Sequence, residues 1–103
     1  IKVEEKLLQR VVKMQFRADA VDLFLQHFNE VAGEIRHFPG CEGLHLLQDT
    51  DNSNILFTYS QWQDVVALEH YRNSDLFRTT WKYVRTLFEV RAEAWSVHIV
   101  KQL

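Results

Sequence analysis

The chain has 103 residues, enough for one core and too few for two, so a single domain over 1–103 is expected, with 1–6 as an N-terminal extension outside the folded unit. Twelve Lys and Arg against fourteen Asp and Glu leave a net charge of −2, which lacks the positive field that nucleic acid or an anionic membrane surface calls for. Apolar residues make up 47%, with seven Phe, three Tyr and three Trp, and this excludes a disordered chain. Cys41 is the one thiol, so neither an internal disulfide nor a thiolate-rich metal site can form within the chain. No apolar run approaches the ~20 residues of a membrane span, and Ile1 to Lys6 lacks the basic-then-apolar order of a secretory leader. The expected compartment is reducing and cytoplasmic.

Leu7 to Phe16 alternates, with Leu8, Val12, Met14 and Phe16 on one side and Gln9, Lys13 and Gln15 on the other, the period of a half-buried strand. Arg10 falls on the apolar side, where its guanidinium is expected to reach an acidic partner or, as the alternative, a ligand anion. Asp19 is expected to cap a helix from Ala20 to about His37, with an apolar stripe from Val21, Phe24, Leu25, Phe28, Val31, Ala32 and Ile35. Gly33 inside it predicts a close approach to the sheet, and Pro39-Gly40 ends the helix.

Cys41–Gln48 and Ile55–Gln61 read as a hairpin around the polar run Asp49 to Asn54, which lacks the central Gly and terminal Glu of a calcium loop. Asp64 caps a second helix, and Ser74 restarts it after a break at Asn73-Ser74, with Phe77, Trp81, Val84, Leu87 and Phe88 on one side. A last strand is expected from about Val90 to the C-terminus, where Trp95, Val97 and Ile99 alternate with Ser96, His98 and Val100. The order is β-α-β-β-α-β: an α+β, ferredoxin-like fold in which a four-stranded antiparallel sheet carries both helices on one face. Leu44 and Leu46 point opposite to Leu47, Leu56 opposite to Ile55 and Phe57, and Trp95, Val97 and Ile99 opposite to Val100, so both faces carry apolar groups while the helices cover only one. A bare patch of that kind predicts a two-fold homodimer, sheet face to sheet face.

Pro39-Gly40-Cys41, Gln48-Asp49 with Asp51 and Asn54, Tyr59, Trp62, Asp64, Ala67, Leu68, Ser74 and Phe77 together resemble the antibiotic biosynthesis monooxygenase family of dimeric α+β barrels. The similarity runs from Leu7 to Val100. It implies a cofactor-independent monooxygenase that oxidises a small aromatic quinol or phenol with molecular oxygen, without metal or flavin, in a pocket between sheet and helices. Trp62 stands at the family's pocket tryptophan, and Tyr71 stands where relatives carry His or Trp. Trp62, Tyr71, Phe24, Phe77 and Trp81 are the expected substrate-binding residues, with His45 or His98 as proton acceptors. The alternative is a non-catalytic dimer that binds a small hydrophobic ligand. Haem binding or degradation is the third reading. Asn73 to Phe77 resembles the haem-degrading branch, but Trp81 replaces its axial His, and the first strand lacks its Asn.

Other chemistry gains no support. The five histidines, His27, His37, His45, His70 and His98, include no pair at i, i+3 or i+4, so no metal site is expected. No phosphate loop or Ser-His-Asp order occurs. Cys41 has no basic sequence neighbour and is expected to be inert.

Overall fold

In the computed structural model, which describes residues 7–103, strand β1 (Leu8–Gln15) is central. The extension expected over 1–6 lies outside the described residues. Around β1 stand α1 (Val21–Arg36), β2 (Cys41–Gln48), β3 (Ile55–Trp62), α2 (Val65–Arg72), α3 (Asp75–Val84) with a 3-10 turn at Arg85–Leu87, and β4 (Glu93–Val97). The sheet order is β2-β3-β1-β4, antiparallel throughout, as a ferredoxin-like fold requires.

The registers turn the alternation into rows across the sheet. Leu44, Ser60, Arg10 and Ser96 form one row on the helix-covered face, and Leu46, Thr58, Val12 and Ala94 form the next. The opposite face carries His45, Leu47, Tyr59, Phe57, Val11, Trp95 and Val97 in the same way. Leu47, Trp95 and Val97 are 45%, 44% and 47% exposed, large values for residues of their size.

Under the helices the core divides into two clusters. Val12, Met14, Phe16, Phe24, Leu56, Val84 and Leu87 anchor α1 and the end of α3, while Cys41, Trp62, Ala67 and Leu68 anchor α2. Each cluster holds a stacked aromatic pair, Phe16 on Phe24 at 4.4 Å in one and Trp62 on Tyr71 at 4.9 Å at the edge of the other.

The two caps of the broken helix form as their sequence predicts. Asp64 accepts from the Ala67 N–H at 2.8 Å, and Ser74 Oγ accepts from the Phe77 N–H at 3.1 Å. Asp49 and Asn52 fold the hairpin loop on itself by accepting from the N–H groups of Asp51, Asn52 and Asn54.

Four local expectations are corrected. Asp19 caps nothing: α1 starts after Ala20 without a side-chain cap, and Asp19 pairs with Arg17 at 3.3 Å. Gly33 marks no close approach, since a Cβ there would meet nothing within 4 Å. The last strand is short because β1 runs out: Val97 pairs with Gln9, one residue from the end of β1, so His98, Ile99 and Val100 lie beyond the ladder. Among the described residues Arg10 meets no carboxylate; its Nη1 donates to Ser96 Oγ at 2.9 Å.

The glycines therefore differ in what they tolerate. Gly33→Ala should raise stability by about 0.5–1 kcal/mol, since the helix loses a flexible residue and gains no clash. Gly40 has φ +88°, and a Cβ there would run into that of Ala67, so Gly40→Ala should cost about 2 kcal/mol or more. Urea midpoints of the two variants should move in opposite directions.

Candidate functional site

A cavity of about 150 Å³ lies between the sheet and the helices, where the two core clusters fail to meet. Its floor is Arg10, Val12 and Met14 of β1 with Leu44, Thr58 and Ala94 from the neighbouring strands. Its roof is Phe24, Phe28 and Ile35 of α1, Leu68, Tyr71 and Arg72 of α2, and Phe77, Thr80, Trp81 and Val84 of α3. The space exists because small side chains face large ones. Thr58 and Ala94 do not fill the gap beneath the aromatic rings of the helices, and the sheet cannot move up to close it.

Aromatic rings run around the roof in edge contacts. Tyr71 meets Phe77 at 5.2 Å, Phe77 meets Trp81 at 5.8 Å, and Trp81 meets Phe88 at 5.7 Å. Tyr71 is fixed from two further sides, by Phe38 at 5.4 Å and by the face of Trp62. Among the described residues its hydroxyl makes no hydrogen bond within the protein, although the ring lines the cavity. Burial, with a smaller contribution from Cys41, pushes its pKa well above the usual tyrosine value. At neutral pH Tyr71 is therefore a hydrogen-bond donor and not a base.

The structure brings Tyr71, Phe24, Phe77 and Trp81 to one cavity. It does not bring Trp62 there. Trp62 is 0% exposed, its Nε1 donates to Ser60 Oγ at 2.9 Å, and it lies behind Tyr71 as the support of that ring. Its indole is satisfied by its own strand, so the wall expected of it is supplied by Tyr71. His45 and His98 are also elsewhere. His45 is on the open sheet face, paired with Tyr59 by the hairpin register, with ring centroids 6.1 Å apart. His98 is exposed past the end of β4.

Three ionisable side chains line the cavity: Arg10, Tyr71 and Arg72. Arg10 follows from strand alternation, which puts it on the helix-covered side. Arg72 carries no such signal, because one residue along a helix turns the side chain by ~100° and the Tyr71 position would leave it outside. Cys41 has Arg36 beside it in space, whose Nη1 donates to the Cys41 carbonyl at 3.0 Å. Burial outweighs that charge and pushes the thiol pKa up, so Cys41 is a poor nucleophile. Among the described residues no three His, Cys, Asp or Glu side chains converge as a metal site would require.

The fold recurs in known proteins. Over 80 residues the chain is 34% identical to a protein of Natronomonas pharaonis that bears the name "putative heme-binding protein", a match that takes in 78% of this chain but 13% of that protein. The chain thus spans a small part of that relative. Among solved structures, a conserved protein from Methanosarcina mazei superimposes with TM-score 0.86 at 20% identity, over 90% of this chain and 92% of its own. SnoaB, a cofactor-independent oxygenase from Streptomyces nogalater, crystallised as a mutant, superimposes with TM-score 0.84 at 19% identity, over 95% and 97%. At those identities the likeness concerns the fold. The family model described as antibiotic biosynthesis monooxygenase matches residues 8–83, from the first strand through α3. The chain belongs to the antibiotic biosynthesis monooxygenase family.

Proposed function

We propose that the protein is a cofactor-independent monooxygenase of a small electron-rich phenol or quinol. The observation that carries this reading is the largely apolar cavity lined by Tyr71, whose hydroxyl has no partner among the described residues and whose ring is held by Trp62 and Phe38. A cavity of about 150 Å³ accepts one aromatic ring. Phe24, Phe77 and Trp81 would hold that ring by its faces and edges, and Tyr71 would donate to its phenolic oxygen.

In such a reaction one oxygen atom enters the ring and the other leaves as water, and the ring supplies all four electrons. The protein's part is to orient the ring, exclude water and stabilise negative charge on the phenolic oxygen. Its lining provides donors for that charge and no base, so an ionised phenol is held there rather than made there.

Haem fits this cavity poorly. No His or Cys lines it, and Trp81 stands where the haem-degrading branch carries its axial His. The absence of a base favours a second reading, a dimeric binder of a small aromatic ligand without turnover. In either case the open sheet face, with Leu47, Trp95 and Val97 exposed, supports a homodimer that covers it.

With a panel of hydroquinones an oxygen electrode should record uptake that depends on the protein, and labelled oxygen should place one atom in the product. Tyr71→Phe should lower kcat/KM about tenfold, the loss of one hydrogen bond in the transition state. Tight binding with no uptake by any hydroquinone would leave the binder. For the dimer, light scattering should give twice the chain mass at micromolar concentration, and Trp95→Glu should halve it. A wild-type monomer would remove the homodimer.

A further inference from the structure

We propose that Arg10 and Arg72 form an anion clamp at one end of the cavity, and that the ligand is a single aromatic ring bearing a carboxylate. This deepens the oxygenase reading and rests on the same cavity, but it concerns binding, not turnover.

Arg10 projects from the middle of the sheet on the helix-covered side, in the row formed by Leu44, Ser60 and Ser96. Arginine is an expensive choice at a half-buried place whose next row is Leu46, Thr58, Val12 and Ala94. Yet among the described residues no carboxylate meets it. Its one hydrogen bond among the described residues goes to the neutral Ser96 hydroxyl, which holds Nη1 and leaves the rest of the fork free.

A second cation adds to the imbalance. Arg72, from α2 and half exposed, lines the same cavity and is close enough for its charge to act on Arg10. Glu69 is bound to Arg72, Nη1 to Oε1 at 3.1 Å, and so compensates one of the two charges. One positive charge is left over. Consistent with that, Arg10 has its pKa lowered by burial first and by Arg72 second, with Glu69 pulling only weakly the other way. Guanidinium stays protonated at neutral pH under such a shift, so the imbalance is a standing charge that an anion would relieve.

The chemistry of the anion follows from the fork and the volume. A guanidinium with two parallel N–H groups free matches the planar pair of oxygens of a carboxylate. The remaining wall, Phe24, Phe77 and Trp81, matches a ring. A cavity of about 150 Å³ accommodates such a ring with small polar substituents.

The test compares 4-hydroxybenzoate with 4-hydroxybenzyl alcohol, which has the same ring and phenol but no charge. Calorimetry is run anaerobically at pH 7, so that the result does not depend on oxygenation. The wild type should bind the acid at least tenfold more tightly, and the preference should shrink as salt rises. Arg10→Met keeps the apolar stem, and Arg10→Lys keeps the charge without the fork. The first should abolish the preference, and the second should retain only part of it. Ser96→Ala frees Nη1 without touching the ligand, and covers the case in which Arg10→Met fails to fold; it should keep the preference for the acid. Equal affinity for acid and alcohol in the wild type, a preference that survives in Arg10→Met, or loss of the preference in Ser96→Ala would overturn the clamp. So would failure of both compounds to bind at millimolar concentration. Oxygen uptake without any preference for the acid would keep the oxygenase and remove the clamp; preference without uptake would do the reverse.

Discussion

The hydrogen bonds of Ser74 are the constraint on which the site depends. Ser74 Oγ donates to the Tyr71 carbonyl at 2.6 Å, closing the last turn of α2, and accepts from the Phe77 N–H, opening the first turn of α3. In an unbroken helix Tyr71 and Phe77, six residues apart, would lie about 120° from each other around the axis, too far to share a wall. The break removes that angle, and the two rings meet edge to face at 5.2 Å. Asn73 completes the junction, with its side-chain amide donating to the Glu69 carbonyl at 2.8 Å. One hydroxyl at the joint of two short helices thus decides which side chains face the sheet.

The cavity is the consequence of that joint meeting a sheet with too little to offer. α1 carries its large residues to β2 and the end of α3, while α2 carries Leu68 and Ala67 to Trp62. Between them the sheet presents Thr58 and Ala94, and Ala92 follows α3 into the gap before β4 begins. A Leu at position 94 would fill part of the space and join the two clusters into one core. The chain instead keeps small residues there and forgoes dispersion contacts that each methylene would add. Void volume lined by aromatic rings is costly in a domain of 103 residues, whose core is small to begin with. That cost is a reason to read the cavity as a binding space rather than as imperfect packing.

What the sequence made legible was periodicity and punctuation. Alternation assigned Leu8, Val12 and Met14 to one face, and Asp64 and Ser74 announced their helices through local hydrogen bonds that need no tertiary contact. Asp19 failed by the same rule. Its carboxylate had a closer choice in the Arg17 guanidinium, and α1 started on the buried Ala20 because packing, not capping, fixes that end. The length of β4 was illegible because it is set by where β1 stops, which is a property of the register. Trp62 misled for a related reason. A large aromatic at the end of a strand signals a corner with a pocket near it, but only the satisfied indole N–H reveals that the ring stands behind the wall. His45 was open to either face until the hairpin register placed it opposite Tyr59.

The polar groups of the site divide by role once their partners are counted. Ser60 is used up by the Trp62 indole, and Gln9, although buried, accepts from the Tyr59 hydroxyl on the other side of the sheet at 2.7 Å. Among the ionisable side chains that line the cavity, Tyr71 and the two arginines donate, and no carboxylate or imidazole is there to accept. A cavity whose charged groups are all cationic would discriminate by the charge of its ligand before any reaction begins. It would favour the anionic form of the proposed aromatic ligand over the neutral one. Electron density in such a ring rises on ionisation, and this is the property that a reaction with oxygen would use in the absence of a base. Recognition and activation of the ligand would then be the same event, carried by the residues of one sheet row and one helix joint.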